Sequence, residues 1–141
     1  MQVGIVFPEH LQAVWEQVET IVREHGEEWL DVVELRDIVL RLSTGDLHLW
    51  LGTEEQKAEL VMVCGWERHG KKSFYHILWI GGERMKAYME KGLPLVEEYA
   101  GLCGAEEVVF EGRDGWAKLL EPKGYEQSLM MRKDVTSFRR N

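Results

Sequence analysis

Between Leu42 and Leu47 the spacing of apolar residues changes from three and four to two, so the chain cannot be all-helical or all-strand. Upstream, Leu11, Val14, Trp15, Val18, Ile21 and Val22 line one face of a helix, while Glu9, Glu16, Gln17, Glu19 and Arg23 take the other. Pro8 opens this helix and Gly26 closes it. A second helix is predicted from Asp31, a candidate N-cap, to Leu42, with Val32, Leu35, Val39 and Leu42 as its stripe. Residues 3–7 are predicted to form a short first strand. Downstream of the change, Leu47, Leu49 and Leu51 alternate with His48 and Trp50 in a strand. A turn at 52–56 leads to a strand from Glu59 to Trp66, and the polar turn 67–72 leads to a third from Ser73 to Ile80.

Gly81-Gly82 breaks that meander, and a long helix is predicted from Glu83 to Cys103, kinked near Gly92 by Pro94. A short buried strand follows at Glu107–Phe110, then a small helix from Asp114 to Leu120 closed by Pro122 and Gly124, then a last strand from Tyr125 to Lys133. The predicted class is α/β, one domain over residues 1–135, with a mixed, mostly antiparallel sheet flanked by helices in the order β-α-α-β-β-β-α-β-α-β. Residues 136–141 are expected to be a loose or partner-ordered tail.

Composition narrows function more than fold. With 141 residues, a net charge of −8 and a pI near 5.2, the chain is expected to be acidic and soluble, with no strong binding to nucleic acid. No apolar run approaches the roughly 20 residues of a membrane span, and the N-terminus lacks the basic start of a signal peptide. Cys64 and Cys103 stand far apart, which excludes a disulfide framework or zinc ribbon and suits a reducing cytoplasm. No Gly-x-Ser-x-Gly motif or P-loop occurs. His48 and His76 could face each other across neighbouring strands, but read better as surface residues than as metal ligands. Trp50, Trp66 and Trp79 fall on the three meander strands; Trp50 and Trp79, if on one face, would make an aromatic surface for a partner protein. Arg139 and Arg140 in the basic tail are the other candidate partner contacts.

The element order resembles that of the GNAT fold of acetyl-CoA-dependent N-acyltransferases over essentially the whole chain. Two stretches carry the resemblance: His76-Ile77-Leu78-Trp79-Ile80-Gly81-Gly82-Glu83-Arg84, and Gly112-Arg113-Asp114-Gly115-Trp116 through Leu119, Leu120, Gly124 and Tyr125. The second is also similar to small GNAT-like proteins encoded by tailed bacteriophages. The resemblance implies that the coenzyme A diphosphate would sit on backbone N–H groups at the start of the long helix, with Gly81, Gly82, Arg84 and Lys86 as the cofactor-binding residues. The family's Gln/Arg-x-x-Gly-x-Gly/Ala signature is not met: Glu83 or Arg84 falls at the second small position. The family's tyrosine acid aligns with Leu120, which cannot donate a proton, and its asparagine with Arg113. Glu59, Glu67, His48 and His76 are the candidate bases, none distinguished by sequence.

These departures lead to the expectation of a non-catalytic phage accessory protein on a degenerate GNAT scaffold, without a cofactor. It would contact other phage or virion proteins in multiple copies, in the host cytoplasm and then the virion. The alternative is an acetyl-CoA-dependent N-acyltransferase with an atypical cofactor loop, in which water or Tyr88 replaces the missing acid.

Overall fold

The computed structural model describes residues 1–111, 115–128 and 131–139. The chain divides into two units, Met1–Glu111 and Gly112–Asn141. In the first unit the elements are β1 (Gln2–Val6), α1 (Leu11–His25), α2 (Glu27–Leu30), α3 (Leu35–Thr44), β2 (Leu47–Glu54), β3 (Lys57–His69), β4 (Lys72–Gly82), α4 (Met85–Leu102) and β5 (Glu107–Phe110). The sheet runs β1-β2-β3-β4-β5, antiparallel except for the parallel β4–β5 pair. This is the mixed, mostly antiparallel α/β arrangement that the change of period predicts.

Alternation along the strands assigns the two faces. Leu47, Leu49, Leu51, Val61 and Val63 form one core with Leu11, Val18, Ile21 and Val22 of α1 and Ile38 and Leu42 of α3. The opposite face carries Trp50, Met62, Tyr75 and Ile77, all buried, and α4 contributes Tyr88, Met89, Leu93 and Val96 to the buried set. Two glycines allow α4 to lie close: a Cβ on Gly52 would come within 2.5 Å of the Tyr88 ring, and one on Gly92 within 2.8 Å of Val3.

Several boundaries differ from the expectations. The second helix is in two pieces: Asp31 is the C-cap of the one-turn α2, and Glu34 precedes α3. Val32, expected on an apolar stripe, is 79% exposed, and Ile38 takes the buried place. The break turns Trp29 onto Trp79, with ring centroids 5.1 Å apart and planes within 3°; this tertiary stack has no trace in local periodicity. Helix α4 runs through Pro94 without splitting. Proline removes one N–H, but the apolar face at Leu93 and Val96 stays buried on both sides of it.

In the second unit, α5 (Gly115–Leu120) is followed by a 3₁₀ turn at Glu121–Lys123, ended by Gly124 at φ +91°. Residues 125–128 and 131–133, expected in a last strand, are not in a strand. Thr136–Phe138 forms a single 3₁₀ turn.

Candidate active site

Strand β4 is where the sheet opens. Parallel pairing with β5 covers only Phe74↔Glu107 through Ile77↔Phe110. The β3–β4 register shifts at that level: Cys64 faces Ile77 while Val63 faces Trp79, so Leu78 is the extra residue of a β-bulge. A bulge bends its strand and turns it from its neighbour. From Leu78 to Gly82, β4 continues with no strand partner on the β5 side among the described residues. The main-chain groups of such an edge can bond to an extended ligand as an added strand would.

The open edge leads into the first turn of α4. Gly82 sits at φ +137°, and a Cβ there would fall 2.1 Å from the Glu59 carbonyl oxygen. A Cβ on Gly81 would meet the Trp79 ring at 2.4 Å. Both glycines are thus required by the packing of the turn itself. The Glu83 N–H donates to the Glu59 carbonyl at 2.8 Å. Arg84, at φ +51°, is the N-cap residue and supplies no side-chain cap. By helix geometry the amides of Met85, Lys86 and Ala87 have no partner within α4, and the positive end of the helix dipole lies there. The side chains of Glu83 and Lys86 are exposed.

The Arg84 guanidinium turns back to the sheet. It donates to Glu54 Oε2 at 3.1 Å and to Glu59 Oε1, and lies 5.5 Å from the centroid of the Tyr88 ring. Tyr88 donates its hydroxyl proton to the same Glu59 oxygen at 2.6 Å, and the N-terminal ammonium pairs with Glu54 at 2.9 Å. Arg84 and then Tyr88 hold the Glu59 carboxyl below its usual range; the N-terminus and Arg84 do the same for Glu54. Burial, with the Glu59 bond adding to it, pushes the Tyr88 phenol up to about 12. Tyr88, considered above as a substitute acid, is therefore bound to Glu59.

The four candidate bases separate. Glu59 belongs to the α4 mouth. His48 faces the α4 side, where its Nδ1 bonds the Tyr75 hydroxyl at 2.9 Å, and burial lowers its pKa. Tyr75 also accepts from Trp50 Nε1 at 2.9 Å. Trp66, Tyr75 and Tyr99 surround the His48 ring. Burial raises the Tyr75 phenol and pushes the Cys64 thiol up to about 12. His76 and Glu67 meet: Nδ1 lies 2.5 Å from Glu67 Oε1, on the face opposite His48. His48 and His76 are thus not neighbours, since β3 lies between their strands and they face opposite ways.

Trp50 and Trp79, expected together in one aromatic surface, lie on opposite faces, because Leu49, Val63 and Trp79 are aligned across the sheet. Trp50 is 4% exposed and hydrogen-bonded, so it offers no surface to a partner. Trp79 is half-buried against Trp29. In the second unit Leu120 is buried and Arg139 exposed. Arg140, and Gly112-Arg113-Asp114 of the motif above, lie outside the described residues.

The fold is that of the GNAT acetyltransferases. A probable acetyltransferase matches with a TM-score of 0.72 at 12% identity, covering 100% of both chains. A GCN5-related N-acetyltransferase from Ralstonia eutropha gives a TM-score of 0.70 at 16% identity, covering 95% of this chain and 97% of that one. A predicted acetyltransferase from Clostridium acetobutylicum, solved with acetyl-CoA, gives 0.68 at 8% identity over 99% of each. No protein-family model and no curated protein matches the sequence.

Proposed function

We propose that this chain is an acetyl-CoA-dependent N-acyltransferase with an atypical cofactor loop. One observation carries the reading: the free edge of β4 begins at a bulge and runs directly into the uncapped first turn of an 18-residue helix. An extended amide-bearing arm suits the first feature and a diphosphate the second. Gly81 and Gly82 shape the turn, the amides of Met85, Lys86 and Ala87 face the anion, and Lys86 adds an exposed cation. Glu83 opposes binding, but its side chain is exposed. At about 4 Å in water a like charge costs only about 1 kcal/mol, and salt screens it further. The helix terminus and Lys86 offset a term of that size. Arg84 orders the turn through Glu54 and Glu59 rather than grasping phosphate.

Calorimetry with acetyl-CoA tests this reading. Binding is expected at micromolar concentration, weakened roughly tenfold, about 1.4 kcal/mol, by Lys86→Glu. Absence of binding at millimolar acetyl-CoA would overturn it.

Leu120, at the position of the family's proton donor, favours a second reading: a non-catalytic accessory protein of a tailed bacteriophage, with other virion proteins as partners. Recovery of the protein in purified particles, without acetyl-CoA binding, is the outcome that reading requires. Arg139 and Trp79 would then be its surface contacts.

A further inference from the structure

The hairpin joining β3 to β4 reaches beyond its neighbours in the sheet. Strand β2 starts at Leu47, opposite Gly65, so from Trp66 to His69 β3 has no strand partner on that side among the described residues. Strand β5 pairs with β4 only from Phe74 onward. The overhang closes at His69↔Lys72 around Gly70, which sits at φ +63°. It lies at the start of the 11-residue β4, whereas the α4 mouth lies at its end. An uncovered strand edge offers main-chain donors and acceptors to an added strand.

Charge and side chains narrow what can add there. In a chain of net charge −8, residues 66–73 hold Arg68, Lys71 and Lys72 against one carboxylate, Glu67. Glu67 faces the other side of the ribbon, where it meets His76 Nδ1 at 2.5 Å. All three cations are exposed, and none has an ion-pair partner among the described residues; Arg68 reaches only the Gly70 carbonyl oxygen, at 3.1 Å. Alternation puts Trp66 and Arg68 on one side of the ribbon, with Tyr75 opposite Trp66. Trp66 is 37% exposed. Tyr75 joins it to half-buried Tyr99 of α4, with ring centroids 5.0 and 5.9 Å away, and Leu102, one helical turn on, is exposed. Two aromatic rings beside unpaired cations have the make-up of an interface centre with a charged rim.

We propose that this overhang docks an extended acidic segment of a partner protein, which adds as a strand along Trp66–His69, sets apolar side chains against Trp66 and Tyr99, and brings carboxylates to the cationic tip. A nucleic acid fits less well. Its phosphates repeat along the whole strand and would run from the tip onto an acidic body, which a short peptide avoids. No residue of this surface belongs to the α4 mouth or to the free edge of β4, so docking does not depend on acyl transfer.

The test uses the full chain and a fluorescein-labelled heptapeptide, Asp-Asp-Val-Thr-Val-Asp-Asp, capped at both ends, with fluorescence anisotropy as the readout. The same peptide carrying Lys for Asp, and a labelled oligothymidylate of about 12 nucleotides, serve as comparisons. The acidic peptide is expected to bind with a Kd of about 100 µM or less, roughly tenfold tighter than either comparison. Arg68→Glu combined with Lys71→Glu, both at exposed side chains, should weaken binding roughly tenfold, and about 0.5 M NaCl should weaken it about fivefold. Trp66→Ser should weaken it at least about fivefold at an unchanged far-ultraviolet circular dichroism spectrum. With peptide bound, amide hydrogen exchange within residues 66–69 should slow at least about tenfold. No binding at about 1 mM peptide, binding by the double variant within about twofold of wild type, or no slowing of exchange at 66–69 would each overturn the docking site. Tighter binding of the oligothymidylate would overturn it as well, in favour of a nucleic-acid surface.

Discussion

Two groups of acidic and basic side chains bracket the free edge of β4, and they are built in opposite ways. At the α4 mouth, Glu54, Glu59, Arg84, the N-terminal ammonium and the buried Tyr88 satisfy one another. Opposite Val109 of β5, His76 is buried; its Nδ1 meets Glu67, and its Nε2 has no hydrogen-bond partner among the described residues. The first arrangement orders a turn and leaves no reactive group free. The second leaves one nitrogen in the interior without a hydrogen-bond partner among the described residues. The acyltransferase reading uses the first, as a rigid frame for the turn that leads into α4.

The largest effect should come from the frame's backbone. Gly82→Ala places a methyl group against the Glu59 carbonyl at a φ that L-residues rarely adopt. Strain and overpacking together should cost roughly 2–5 kcal/mol, read as a lower urea midpoint at constant slope. A cost below about 1 kcal/mol would mean that the mouth is not rigid.

A smaller change should follow His76→Leu. The substitution removes a buried nitrogen with no partner, and half-exposed Glu67 can turn to water. Stability should stay within about 1 kcal/mol of wild type. A loss above about 3 kcal/mol would make the imidazole a structural contact and erase the contrast between the two groups.

Glu59→Gln should change least, and its effect should depend on pH. Arg84 and Tyr88 hold the Glu59 carboxyl below its ordinary value of 4.5. A carboxyl held low in the folded state stabilises above its unfolded value, and that gain disappears as pH falls through the folded value. The Tm difference between wild type and Glu59→Gln should therefore be present at pH 7 and shrink below about pH 4.5, and molar salt should reduce it at any pH. A difference that does not vary with pH would remove the ion pair from the account.

Much of this could be read from residue order, because it rests on periodicity. The alternation at Leu47–Leu51 identified β2, and the three- and four-residue steps from Leu11 to Val22 identified α1. Both signals arise because one face of each element must be buried whatever it packs against. The glycine pair that ends β4 and the long helix after it were legible for similar local reasons. The pairing of His76 with Glu67 was within reach: counting back from the His69↔Lys72 turn pair makes residues 67 and 76 diagonal neighbours.

Other features depend on contacts between distant segments, and only the tertiary structure decided them. The bulge at Leu78 is a mismatch between two strands, visible only once both are in register. The break between α2 and α3 answers to the Trp29–Trp79 stack, 50 residues apart in sequence. The opposite facing of Trp50 and Trp79 follows from that same bulge, which shifts strand parity midway along β4. Sequence by itself determined which side of α1 and of β2 faces inward, since burial of one face is a property of the element. Tertiary structure decided which nitrogen was left without a partner, since a hydrogen bond belongs to two residues and is settled only where they meet.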